Sequence, residues 1–166
     1  MKIVADSGPI ISFARAGRLD LLKQVTNELI IPDAVFQEIV VSGDDKPGAE
    51  EVKHDLWIKR ATVQDRSLLE NMPGKLSRGE SEAILLAKEL DAYLLVDELE
   101  ARKEASRLGI SYFGSLRIIK EGKNRGIILK AKPVLDELIA SSTYLDESLY
   151  QRFLREMGEE EEVLPK

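Results

Sequence analysis

Cysteine is absent from the chain, which excludes disulfides and thiolate metal sites. Histidine occurs once, at His54, so histidine-based zinc centres and Ser-His-Asp triads have little to work with. No Gly-x-x-x-x-Gly-Lys or Gly-x-Gly-x-x-Gly run is present, which weakens nucleotide-loop readings. No apolar run approaches the roughly 20 residues of a membrane span. An acid at Asp6 stands too early for a secretory leader, so a cytoplasmic protein without a membrane partner is expected. A surplus of positive charge is also missing. The net charge of −6 counts against a general nucleic-acid binder.

What is present suits one globular domain with a heavily ionised surface: hydrophobic residues make up 43% and charged residues 33% of 166 positions. The expected division is a single domain over residues 1–158 and a disordered acidic tail over 159–166. Charge is unevenly spread. From Asp97 to Lys132 nine basic residues face five acids, whereas after Lys132 nine acids face three bases. The basic stretch reads equally well as a solvated helix surface or as a phosphate-binding face.

Short apolar segments alternate with helical patterns. Lys2–Ala5, Leu29–Ile31, Tyr93–Val96 and Ile110–Phe113 read as buried strands, and Trp57–Val63 as extended. Helices are expected after Ser7, over Pro32–Val41, over Ser77–Leu90, over Asp97–Leu108 and from Gly114-Ser115, with helices alone beyond Ile127. Apolar strands without polar alternation argue for a parallel sheet covered on both faces, an α/β fold whose ligands bind at the C-terminal edge.

Four carboxylates, Asp6, Glu38, Glu82 and Asp97, lie at or near strand-to-helix transitions, so this topology draws them toward one edge. Such a pocket repels itself unless a cation neutralises it. Each acid also has a structural reading. Asp6 could cap the first helix, and Asp97 could form a capping pair with Glu100. Glu38 could be an ordinary solvated side chain. Ser77 and Glu80 form a capping box, which accounts for Glu80, whereas Glu82 has no such task. Ser7 and Ser115, each at a helix start, are candidates to bond the carboxylates or a phosphate. Trp57 reads as core, and the amphipathic segment from Asp146 to Met157 as packed on its own domain.

The opening Val4-Ala5-Asp6-Ser7-Gly8-Pro9-Ile10-Ile11, the helix with Glu38, the stretch Leu76–Ala83 and Leu94-Leu95-Val96-Asp97-Glu98 resemble a PIN-domain protein. Gly109–Leu116 and Tyr144–Tyr150 are similar to a prokaryotic branch of that family, and the likeness runs to about Gly158. It implies a three-layer α/β/α sandwich with a central parallel sheet, plus C-terminal helices. It also implies a nuclease site using Mg²⁺ or Mn²⁺, with Asp6, Glu38, Glu82 and Asp97 on the four acidic positions and Glu98 as a loose auxiliary. Leu95 replaces the family's usual Thr or Ser two residues before the last Asp. The expected reaction is hydrolysis of RNA to a 5′-phosphate and a 3′-hydroxyl, in some relatives as the toxin of a toxin–antitoxin pair. Expected partners are RNA, an antitoxin-like protein and a second copy in a homodimer; Arg102, Lys103, Lys120, Lys123 and Arg125 are expected to contact the nucleic-acid backbone. The alternative is a non-catalytic RNA-binding or partner-regulated module that retains the fold.

Overall fold

Five short strands form an all-parallel sheet in the order β3-β2-β1-β4-β5: β1 (Ile3–Ala5), β2 (Leu29–Pro32), β3 (Ile58–Ala61), β4 (Tyr93–Leu95) and β5 (Tyr112–Phe113). The structure is a computed structural model that describes residues 1–141 and 145–160. β1 lies centrally, with Val4 opposite Ile30 of β2 on one side and Ala5 opposite Leu95 of β4 on the other. The chain first builds outward from β1 through β2 to β3, then crosses back to add β4 and β5 on the opposite side. The point of reversal lies between β1 and β4. Chains leaving those two strands diverge there, which opens a crevice at their C-terminal ends.

Alternation along the strands decides which layer each side chain joins. Ile3, Ala5 and Leu95 face a layer made by α1 (Ser7–Arg15), α2 (Leu19–Thr26), α7 (Ser115–Asn124), α8 (Ala131–Ser141) and α9 (Glu147–Glu156). Ile10 and Phe13 of α1, Leu22 of α2, Ile119 of α7 and Leu135 of α8 are fully buried in it. Each such side chain contributes about 1.5–3 kcal/mol relative to exposure. Val4, Leu94 and Val96 face the opposite layer, where Ala83, Ile84 and Leu86 of α5 (Arg78–Glu89) pack with Ala101 and Ala105 of α6 (Leu99–Arg107). This is the three-layer α/β/α sandwich that the family resemblance implies. Among the described residues no helix is long and apolar enough to cross a membrane.

One local feature departs from the sequence expectation. The helix foreseen over Pro32–Val41 is instead a single α turn, α3 (Asp33–Phe36), followed by a π turn over Gln37–Val41. The π turn closes with the Ser42 amide donating to the Gln37 carbonyl at 2.9 Å. The β-branched run Ile39-Val40-Val41 has a weak α preference, and wider turns of this kind recur at functional positions. A short helix, α4 (Ala49–His54), precedes β3, and a 3₁₀ turn over Arg66–Asn71 precedes α5.

The acidic tail does not begin at Glu159. That carboxylate accepts from the Ala131 and Lys132 amides at 2.8 and 3.0 Å and from Lys123 Nζ at 2.6 Å. It thereby satisfies the free N–H groups at the start of α8. Residues 161–166 of the expected tail lie outside the described residues, as does Tyr144 of the resemblance motif. The last helix packs as expected: Asp146 caps α9 through the Leu149 amide, and Phe153 and Leu154 are buried in the core.

Candidate active site

Asp6 immediately follows β1, beside the point where the sheet reverses, and its amide donates to the Leu95 carbonyl at 3.0 Å. The residue occupies the N-cap position of α1, yet its side chain makes no capping bond. The capping explanation of Asp6 therefore fails. The residue is only 4% exposed, and its Oδ1 is buried without a hydrogen-bond partner. Burial pushes the carboxyl up to about 7 from its ordinary 3.8. The Ser7 amide acts in the opposite sense, and the negative charges of Glu80, Glu38 and Glu98 add to the rise. A buried polar atom left unpaired costs about 1–3 kcal/mol, so this oxygen calls for a role beyond packing.

Of the expected quartet, Glu38 is the one whose charge bears on Asp6. The π turn delivers its carboxylate to the start of α1, where Ser7 Oγ donates to Oε2 at 2.6 Å. The same carboxylate rests against the first turn of α5. A Cβ at Gly79 would stand 2.2 Å from Glu38 Oε1, so only glycine leaves room for this placement. The N-terminal end of α5 also favours a negative charge there.

Glu82 and Asp97 reach the same edge but are turned toward donors of their own. Glu82 is 2% exposed; Oε1 accepts from the Ala34 amide at 3.1 Å and Oε2 from Arg78 Nε at 2.7 Å. Asp97 lies before α6, whose N-cap is Glu98, so the capping-pair reading with Glu100 is wrong as well. Its Oδ1 accepts from the Ser115 amide at 2.8 Å and its Oδ2 from Ser115 Oγ at 2.6 Å. The Arg102 guanidinium stands 3.7 Å from Asp97 and donates to the Val96 carbonyl at 3.0 Å. Both serines singled out from sequence thus hold a carboxylate.

The full quartet is not gathered into one ligand set. Among the described residues, no three acidic or imidazole side chains stand together in position to hold a metal ion. Like charges relax by turning toward whichever donors are near, here Arg78, Ala34 and Ser115. Glu82 and Asp97 each still have lone pairs to spare, since a carboxylate offers about four acceptor sites and each uses two here. Sequence reasoning also undervalued Glu80. It forms the expected capping box with Ser77, yet its charge heads the acids that bear on Asp6. The signal was available: a residue in the first turn of α5 projects over the sheet edge as Glu82 does.

The expected nucleic-acid contacts divide sharply. Lys120 pairs with Glu156, and Lys123 with Glu159 and the Met157 carbonyl. Arg125 bonds the Val25 carbonyl at 3.1 Å and pairs with Glu121 at 3.4 Å. Lys120 and Lys123 tie α7 to α9 and the residues after it, and Arg125 ties the end of α7 to α2. Lys103 is exposed beside Glu100 at 3.6 Å.

An all-parallel sheet with acids at its reversal point defines a class of α/β domains with an edge-sited acidic centre. The chain belongs to the PIN-domain family designated DUF3368, whose profile it matches over residues 2–159. No protein of curated function matches it. In structure it is similar to a PilT N-terminus domain protein from the hyperthermophilic archaeon Sulfolobus solfataricus P2. That match has a TM-score of 0.50 at 18% identity and covers 88% of this chain and 100% of the other. At that identity the likeness concerns the fold.

Proposed function

We propose that the protein is a Mg²⁺- or Mn²⁺-dependent nuclease that hydrolyses RNA phosphodiester bonds, with Asp6 at the centre of its site. The observation carrying this reading is the buried, unpartnered Oδ1 of Asp6 at the sheet reversal, surrounded by the charges of Glu80, Glu38 and Glu98. The donors are oxygen only, which suits a hard divalent cation. Asp6 and Glu38 would hold the ion; Glu82 and Asp97, which the structure does not gather with them around one point, would reach it only through their remaining lone pairs, with Glu98 assisting. Bound there, it would supply an activated water and charge stabilisation at the phosphate.

The chain's own residues prepare that site. Asp6 gives up its proton to become a ligand. Ser7 orients Glu38, and Ser115 orients Asp97. Glu82 keeps its oxygens at the edge through Arg78, whose guanidinium lies largely in solvent. The biological setting suggested by family likeness is the toxin of a toxin–antitoxin pair.

The test is incubation of wild type and Asp6→Asn with a mixed RNA pool in Mn²⁺ or EDTA, followed by mapping of the ends. Wild type should cut only with Mn²⁺ and leave 5′-phosphates and 3′-hydroxyls, while the variant is inert. Equal activity of the variant removes Asp6 from the mechanism. The engagement of both Glu82 oxygens favours a second reading, an RNA-binding module that retains the fold without cutting. RNA binding with no cleavage under any metal would select it.

A further inference from the structure

Two cations stand out because they share one cleft with Glu38 and the fold does not use them. Arg15 ends α1, and Lys46 lies in the turn after the π segment. Both are exposed, and among the described residues neither has an acidic partner. They line one cleft of about 240 Å³ together with Ile11, Ser42, Gly43 and Glu38. Glu38 is the wall shared with the acidic centre, through its bond from Ser7. Ser7, Ile11 and Arg15 recur at every fourth position, so one stripe of α1 leads from Asp6 to the cleft. Along that stripe the distance from Ser7 to Arg15 is about 12 Å.

The cleft wall is fixed rather than incidental. A Cβ at Gly43 would lie 2.6 Å from the Ile39 carbonyl, so the turn carrying Lys46 closes directly on the π segment carrying Glu38. The position also answers an electrostatic difficulty. A polyanion approaching Asp6 meets Glu38, Glu80 and Glu98 on a chain of net charge −6. Uncommitted positive charge beside the Glu38 wall offsets that repulsion, whereas Lys120, Lys123 and Arg125 are already paired within the fold.

We infer that this cleft carries the sugar–phosphate backbone of a single RNA strand on one side of the reacting phosphate, with Arg15 and Lys46 as phosphate contacts and Ser42 as a hydroxyl donor. The assignment rests on the nuclease reading for the identity of the centre it leads to. The strand therefore runs across the α1 and π-turn side of the crevice, away from the basic stretch on α6 and α7.

The experiment measures binding of a short single-stranded oligoribonucleotide in EDTA across a salt series, for wild type, Arg15→Gln/Lys46→Gln and the distant control Lys88→Gln. Each phosphate contact contributes about 0.7 to the slope of log affinity against log salt on single strands. The double variant should lose about 1.4 from the slope, while the control keeps the wild-type slope. The wild type should also bind the strand more tightly than a mononucleotide. An unchanged slope in the double variant, equal affinity for a mononucleotide, or binding only of an acidic peptide overturns the inference. Parallel cleavage in Mn²⁺ separates the two readings. Cleavage by wild type with an unchanged variant slope rejects the strand path alone. A reduced slope without any cleavage upholds the path and rejects catalysis, and absence of both binding and cleavage rejects both.

Discussion

Replacing Asp6 by asparagine removes a charge while nearly preserving shape, and the structure fixes how stability should respond. The folded carboxyl sits at about 7 and its ordinary value is 3.8, with burial as the leading cause. Between those values the folded protein keeps a proton that the unfolded chain has released. The contribution of Asp6 is therefore complete below about pH 4 and is lost as pH rises to about 7, at about 1.4 kcal/mol per pH unit. Above that range it is flat. Over roughly three units the loss is on the order of 4 kcal/mol. Asparagine does not titrate, so most other ionisations cancel in the difference between the two proteins. The assay is urea denaturation in EDTA from pH 4 to pH 8 for both. Wild-type stability minus variant stability should fall steadily to about pH 7 and then level off. A difference constant to within about 1 kcal/mol would refute the view that Asp6 is a buried proton-binding group. At pH 7.5, Mn²⁺ at a hundredfold excess over its dissociation constant should then stabilise the wild type by about 2.7 kcal/mol and leave Asp6→Asn unmoved.

Three further substitutions test neighbouring parts of the argument. Gly79→Ala places a methyl 2.2 Å from Glu38 Oε1. It should weaken Mn²⁺ binding by calorimetry while helix content by circular dichroism is kept, because alanine favours the helix by about 1 kcal/mol. Ser115→Ala removes the 2.6 Å hydroxyl bond to Asp97. It should lower stability by about 1 kcal/mol and reduce Mn²⁺ affinity; unaltered affinity would separate Asp97 from the metal site. Glu159→Gln breaks the charged contact with Lys123 at the start of α8. It should lower the urea midpoint, consistent with a loss of about 1–3 kcal/mol, and leave metal binding untouched.

Much of the architecture was legible because it follows from local pattern. Strands too apolar to alternate demand cover on both faces, and the Ser77 to Glu80 spacing writes a helix start in four residues. The buried Trp57 follows from the same patterning. Other features were hidden because they depend on remote donors. Asp97 and Glu100 have the spacing of a cap, but Ser115 lies eighteen positions away and takes the carboxylate. A basic stretch in sequence could not disclose that α9 and Glu159 return to neutralise it.

Hydrophobic period and strand-to-helix order are local properties, and they suffice for a parallel α/β sheet covered on both faces with acids after β1 and β4; the resemblance of short motifs adds the PIN kind. Tertiary structure alone decided which carboxylates face one another, which are tethered and which cations stay uncommitted. Those outcomes depend on distances between segments far apart in the chain. They depend also on the depth at which an oxygen such as Asp6 Oδ1 loses water without gaining a donor.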